Sequence, residues 1–359
     1  MPPTRMKAWR LDRLGGNLAL KQIPTPQPRA GSVLVRIEAS ALMSYLKPYV
    51  EGKLPFYNPP TQEFTIGTNG VGVVEAVGRD VWSLHPGERV LLSSHFIGRE
   101  NVGEPPQVLI GLTAGAGGEA VLADWPDGTL ADYALMPVEA VTPADGLDHL
   151  DAPSLAAISR CIVPFGGLLR GRLAAGETLV VTGATGAYGT AAVLLGVAMG
   201  AARVVAAGRN RKALEAVAEI AGPRVRPVAL TGDVEADAAA LRAAGGGAHI
   251  AFDMVGAAGD PNATLAALHS LRRAGRLVLM GSMTTPLPIP YTQLMLNNWE
   301  ILGQFMYPAS AYPRLLDLLR GGLLDLSPIR PRVYPLAELP QAMEAAAVAH
   351  NLEYVVMQP

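Results

Sequence analysis

One stretch constrains this chain more than any other: Thr178–Lys212, TLVVTGATGAYGTAAVLLGVAMGAARVVAAGRNRK. Thr178–Thr182 is a short β-branched run of the kind a strand buried on both faces needs. Gly183, Gly186 and Gly189 follow at intervals of three. An Ala-rich apolar helix then runs to about Met199, where Gly200 stops it, and a second strand spans Arg203 to Ala207. Strand, glycine turn, helix and strand make one βαβ unit of a nucleotide-binding fold. The spacing is G-x-x-G-x-x-G instead of the usual G-x-G-x-x-G, but the flanking strand and helix supply the context such a motif requires. The chain must turn sharply here, its backbone must approach a pyrophosphate, and the helix must pack closely on the sheet, all of which a Cβ would obstruct. Gly183, Ala184, Thr185, Gly186, Ala187, Tyr188 and Gly189 are therefore expected to grip the phosphates at the helix N-terminus.

The end of the second strand speaks to the cofactor. An NAD site usually carries Asp or Glu there, accepting from the ribose 2′-OH. This chain has Gly208-Arg209-Asn210-Arg211-Lys212, three cations and no acid. Such a cluster suits a 2′-phosphate, which arginine binds bidentately. Gly208, Arg209, Asn210 and Lys212 are accordingly expected to hold NADP(H) in preference to NAD(H). Further along, Met254, Val255 and Gly256 end one expected strand, and Gly281, Ser282 and Met283 end the next. The nicotinamide half of a dinucleotide lies at such carboxyl ends.

Length 359 allows about two domains. The net charge of −2 gives no argument for nucleic acid or an anionic membrane as partner. A single cysteine, Cys161, excludes an intramolecular disulfide framework and any multi-cysteine metal site. It also fits a reducing compartment, so a cytoplasmic location is expected. No signal peptide and no uninterrupted apolar run of transmembrane length stands out.

Before residue 150 the pattern is short strands between Gly/Pro turns: Met6–Leu11, Val33–Ala39, Ile66–Gly78, Arg89–Ser93 and Gly128–Val138. This predicts a barrel-like β domain. Leu42–Gly52 reads as irregular, because Pro48 opposes a regular helix. Residues 95–128, rich in Gly and Pro, read as a long loop, mobile at Gly115–Gly118, of the sort that is usually functional. From 154 to 306 strands alternate with helices, predicting a doubly wound α/β sheet. The tail, 307–359, carries a helix near 312–321, a strand near 332–334, a helix near 339–349 and a last strand at 354–357, and is expected to return to the first domain.

Five segments in this order resemble the medium-chain dehydrogenase/reductase superfamily: Pro24–Ile37 (PTPQPRAGSVLVRI), Gly70–Gly78 (GVGVVEAVG), Pro86–Val90 (PGERV), Ala174–Gly189 (AAGETLVVTGATGAYG) and Gly275–Gly281 (GRLVLMG). The resemblance implies a GroES-like β-barrel catalytic domain (1–153 plus 307–359), a Rossmann doubly wound parallel sheet (154–306), an active site in the cleft between them, and a homodimer. It also exposes departures. Where the zinc alcohol dehydrogenases carry a catalytic Cys, this chain has Met43; where they carry a Gly-His-Glu segment, it has Gly67-Thr68-Asn69; their structural-zinc lobe of four cysteines would fall in 95–128, which has none. Met and Asn cannot replace two such ligands, so no metal is expected. The weight moves to the zinc-free branch of quinone and enone reductases, with which Tyr45-Leu46-Lys47-Pro48-Tyr49 shares a loose likeness to an Asp-Pro-Tyr segment.

The resulting expectation is hydride transfer from NADPH to a small molecule with an activated C=C or a quinone ring. Tyr45, Tyr49, Lys47 and Asn69 are the candidate proton or hydrogen-bond donors to the developing enolate oxygen. Two alternatives stay open: a zinc-free alcohol dehydrogenase or carbonyl reductase acting on a ketone or aldehyde, and an NADPH-binding protein without turnover.

Overall fold

Two units divide the chain, and the computed structural model describes residues 2–256, 258–349 and 352–359. Met1–Ser159, Ile329–Ala349 and Glu353–Pro359 form the first; the second centres on Arg160–Pro328. In chain order the elements are β1 (Arg5–Leu11), β2 (Leu18–Pro24), β3 (Ser32–Leu42), α1 (Leu46–Val50), β4 (Phe64–Thr65), β5 (Gly70–Val77), β6 (Arg89–Leu92), β7 (His95–Ile97), β8 (Gln107–Leu109), β9 (Thr113–Ala114), α2 (Glu119–Asp124), β10 (Tyr133–Pro137), β11 (Val141–Pro143), α3 (Ala152–Ala156) and α4 (Ile158–Arg170). There follow β12 (Thr178–Thr182), α5 (Ala187–Ala198), β13 (Arg203–Gly208), α6 (Arg211–Ala221), β14 (Val225–Ala229), α7 (Val234–Gly245), β15 (Ala248–Asp253), α8 (Asn262–His269), β16 (Leu271–Leu279), α9 (Tyr291–Asn297), β17 (Glu300–Gly303), α10 (Ala311–Arg320), β18 (Arg330–Pro335), α11 (Leu339–Val348) and β19 (Glu353–Gln358).

The first unit is the expected GroES-like β domain. Its main sheet runs β11-β6-β5-β3-β19-β18, with β10 also on β3. Alternation along β3 buries Val33, Val35 and Ile37 in one apolar core with Val74, Val90, Leu92 and Met136. The tail returns as expected: β19 pairs antiparallel with β3, Val355 opposite Leu42. Two segments differ from their sequence reading. Pro48 sits inside α1, a five-residue helix; as its third residue it lies in the first turn, where no N–H has an intrahelical partner to lose. Residues 95–128 are a folded lobe instead of a loop. β7, β8 and β9 make an antiparallel sheet, α2 covers it, and Phe96, Val108, Ile110, Ala114, Leu122 and Trp125 join the core. Strands of two or three residues between Gly and Pro turns are too short to show a period.

In the second unit all six strands are parallel, in the order β14-β13-β12-β15-β16-β17. This is the doubly wound arrangement, and the strand order reverses between β12 and β15, the point at which such sheets bind ligands. Every residue of β12 is buried, as a central strand covered on both faces requires. α10 also belongs to this unit and not to the returning tail: Tyr307 meets Tyr312 edge-on at 5.7 Å, and the Met306–Tyr307 backbone lies against Gly166. One helical stretch, Ala152–Arg170, is long and apolar enough to cross a membrane, but 78% of that window is buried inside the protein.

Candidate active site

The residues expected to hold the dinucleotide come together at the carboxyl ends of β12, β13, β15 and β16. Gly183 leaves β12 with φ +67°, and a Cβ there would stand 2.9 Å from the Met254 carbonyl oxygen. At Gly189 a Cβ would overlap the Gly183 carbonyl. Only glycine satisfies either position. Gly186 is the N-cap of α5 and offers no side-chain cap, so the first N–H groups of that helix remain for an anion. The Gly208 Cα faces Thr185, with 3.7 Å between a hypothetical Cβ and Thr185 Oγ1. Ser282 N–H donates to the Val255 carbonyl (3.1 Å), and Gly256 bridges to Ser282. Thus Gly183–Gly189, Gly208, Met254–Gly256 and Gly281–Ser282 converge. Met283 follows in the same segment and is half-buried.

The cations beyond β13 are exposed. Asn210 caps α6, its Oδ1 accepting from Ala213 N–H at 3.1 Å. Arg211 and Lys212 occupy the first turn of α6, which holds no acid, where the helix dipole opposes positive charge. Among the described residues no ion pair or hydrogen bond engages Arg209, Arg211 or Lys212.

The four catalytic candidates all lie in the first unit, and the structure distinguishes them. Tyr49 is fully buried, donates its hydroxyl to the Leu112 carbonyl, and stacks edge-on with Tyr57 at 5.3 Å. Burial pushes its phenol far above the ordinary range. It is an internal tie, not an accessible donor. Tyr45, the N-cap of α1, is half-buried beside Tyr57, ring centroids 6.1 Å apart. Lys47 is held by Glu51 at 2.5 Å and Glu344 at 3.2 Å; hydrogen bonds to these two carboxylates raise its pKa and keep it charged, which argues against a proton donor. Asn69 is buried, and its Oδ1 accepts from Ser94 N–H at 2.8 Å. Only the oxygen of an amide can accept, so that bond fixes the side chain with Nδ2 turned away as a free donor.

A glycine turn at the switch point of a doubly wound parallel sheet is the arrangement found in dinucleotide-dependent oxidoreductases. The alcohol dehydrogenase GroES-like domain model matches residues 29–146, and the zinc-binding dehydrogenase model matches residues 187–321. Between them they take in more than half of the chain, which belongs to the medium-chain dehydrogenase/reductase superfamily. It is similar to an L-arabinitol 4-dehydrogenase of Talaromyces emersonii, 28% identical over 80% of this chain and 74% of that one. It is also similar to an NAD-dependent alcohol dehydrogenase of Sulfurisphaera tokodaii, 26% identical over 98% of this chain and 99% of that one. A candidate zinc-binding dehydrogenase from Sinorhizobium meliloti 1021, solved with NADP bound, shares the fold with a TM-score of 0.79, at 22% identity over 99% of this chain and 100% of that one.

Among the described residues, the positions at which the zinc of those descriptions would be held carry a different set of side chains. Met43 and the Gly67-Thr68-Asn69 segment stand where ligands were sought; Thr68 falls at the histidine's position and is buried, and Asn69 has its oxygen committed to Ser94. Cys161 is fully buried, its thiol pushed up to about 12 by burial, whereas a ligand must be a thiolate. Among the described residues no group of three or more His, Cys, Asp or Glu is placed to hold a metal ion.

Proposed function

We propose that this chain is an NADP(H)-dependent oxidoreductase that interconverts an alcohol and its ketone or aldehyde without a catalytic zinc. The observation that carries the cofactor reading is the set of exposed cations, Arg209, Arg211 and Lys212, without partners among the described residues, beside a glycine turn with no side-chain cap. The Arg209 guanidinium would fork onto the 2′-phosphate and the N–H groups of Ala187 and Gly189 would meet the pyrophosphate. Carbonyl reduction is preferred to quinone or enone reduction because the relatives above are alcohol and polyol dehydrogenases.

When bound, NADPH supplies the hydride for the carbonyl carbon. Asn69 Nδ2, held in place by Ser94, donates to the substrate oxygen and stabilises the charge that develops there. Tyr45 is the better placed of the two tyrosines to deliver the proton, since the Tyr49 hydroxyl is spent on Leu112. A second reading, enone or quinone reduction, is favoured by the ill-fitting metal ligands alone. NADPH oxidation against ketones, aldehydes, enones and quinones, with zinc measured in the same preparation, tests both. Turnover of ketones or aldehydes, reversible with the alcohol, supports the reading; turnover confined to enones or quinones replaces it; stoichiometric zinc whose removal abolishes activity overturns it.

A second copy of the chain is the proposed macromolecular partner. β17 is an open sheet edge, and α9 beside it buries no residue while exposing Tyr291, Met295 and Leu296. Light scattering on the purified protein distinguishes a dimer from a monomer.

A further inference from the structure

We propose that Asp253 is a positioning residue for the nicotinamide half of the cofactor, fixing the backbone turn Met254–Gly256 from beneath. The inference rests on the dinucleotide site described above. Asp253 is the last residue of β15 and is 2% exposed. Its Oδ1 accepts from Thr182 Oγ1 at 2.7 Å and from Val255 N–H at 3.1 Å; its Oδ2 accepts from Thr264 Oγ1 at 3.0 Å. The three donors come from three places: the last residue of β12, the turn after β15, and α8. Thr182 immediately precedes Gly183, whose Cα faces the Met254 carbonyl. Val255 passes the linkage on by accepting from Ser282 N–H at 3.1 Å. One carboxylate therefore stands at the junction of the turns that end β12, β15 and β16.

Among the described residues no cation pairs with Asp253. Burying an unpaired carboxylate is costly for a fold, and burial raises its pKa while the three donors oppose that shift. What a carboxylate offers in return is acceptance on both oxygens. An amide in its place has one acceptor atom and turns a donor toward Thr264, whose hydroxyl must then accept instead of donate. The volume stays the same, but the bonds from Thr182 and Val255 lose their charge assistance and the bond with Thr264 must reverse its direction.

The test uses the full-length chain as wild type, D253N and T264V. Dissociation constants are measured by calorimetry for NADPH and for 2′,5′-ADP, which carries the adenosine and 2′-phosphate but no nicotinamide. The emission of bound NADPH is recorded as well. A positioning role predicts that both variants bind 2′,5′-ADP within about twofold of wild type and bind NADPH about tenfold more weakly, with altered nicotinamide emission. A parallel loss for both ligands that tracks a fall in melting temperature shows a merely structural role and overturns the proposal, as does unchanged NADPH binding in both variants. If wild type fails to prefer 2′,5′-ADP over 5′-AMP, the phosphate reading fails instead, and the Asp253 comparison proceeds with NADH and 5′-AMP.

Discussion

Replacing Arg209 by alanine removes one charged group from the end of β13 and no interaction within the protein, since the side chain is exposed and engages no partner among the described residues. Folding stability should stay within about 0.5 kcal/mol of wild type, as for surface substitutions generally. The effect on cofactor choice is different in kind. A charge-assisted hydrogen bond contributes about 1.5–3 kcal/mol, so the NADPH KM should rise by roughly tenfold to 150-fold, and that of NADH by less than about twofold. Lys212, a point charge on a flexible stem, adds less and is screened over about 8 Å at physiological salt. The salt dependence of NADPH binding expected of the wild type should therefore be weaker in R209A/K212A, which keeps only Arg211 of the three cations. The converse substitution, G208D, places a carboxylate where a Cβ meets nothing nearer than Leu214 Cδ2 at 3.6 Å, within reach of a ribose 2′-OH, and should turn preference toward NADH. Initial rates with each cofactor at several ionic strengths give the numbers. An unchanged NADPH/NADH ratio in R209A, or equal losses for both cofactors, would refute the assignment.

Three further outcomes are expected. Trp125 lies in the core of the 95–128 lobe, edge-on to Phe96 at 6.4 Å and under the Arg29 guanidinium at 4.1 Å; W125A should cost about 3–5 kcal/mol and open the lobe to limited proteolysis, read by urea denaturation and mass mapping, whereas an unchanged midpoint would show that the lobe is held by something else. Cys161, buried with its thiol pushed up to about 12, should resist iodoacetamide at pH 8 in the native protein and react once unfolded; rapid native labelling contradicts this. Burial first, and then Arg272, push the His249 imidazole below its ordinary 6.5, so the unfolded chain takes up a proton that the folded chain refuses. Stability is full above about pH 6.5 and falls as pH drops through that value toward the folded-state pKa; H249Q should flatten this part of a melting-temperature profile between pH 8 and 5, and parallel curves would count against the account.

The βαβ unit was legible because its signals are local: a β-branched run, glycines at fixed offsets, a helix stop. The returning strand β19 was legible too, from its apolar run at Tyr354–Met357. The 95–128 lobe was not, because its cohesion comes from Phe96, Ile110 and Trp125 meeting across turns, and contacts of that kind leave no period in the sequence. The limits of the second unit were equally hidden, for α10 is placed by Tyr307 and Tyr312 packing, not by anything in its own pattern. At the candidate site, residue type alone could not separate the tyrosines. That Tyr49 is tied to Leu112 while Tyr45 is half-exposed depends on a segment more than sixty residues away. The role of Asn69 likewise depends on Ser94, twenty-five residues on. Asp253 carries no signal of its own in the sequence, because its bonds to Thr182 and Thr264 arise only when the strands lie side by side.

The cofactor grip divides into a part that tolerates no change and a part that is free to vary. Gly183 and Gly189 are pressed against each other's backbone and against Met254, so almost any replacement dismantles the turn. Arg209, by contrast, is exposed and engages no partner among the described residues, and a Cβ on the buried Gly208 would meet nothing nearer than 3.6 Å. If these residues choose the carrier as proposed, a lineage carrying this sheet could exchange one electron carrier for another through two positions at the end of β13, without disturbing the glycine turn.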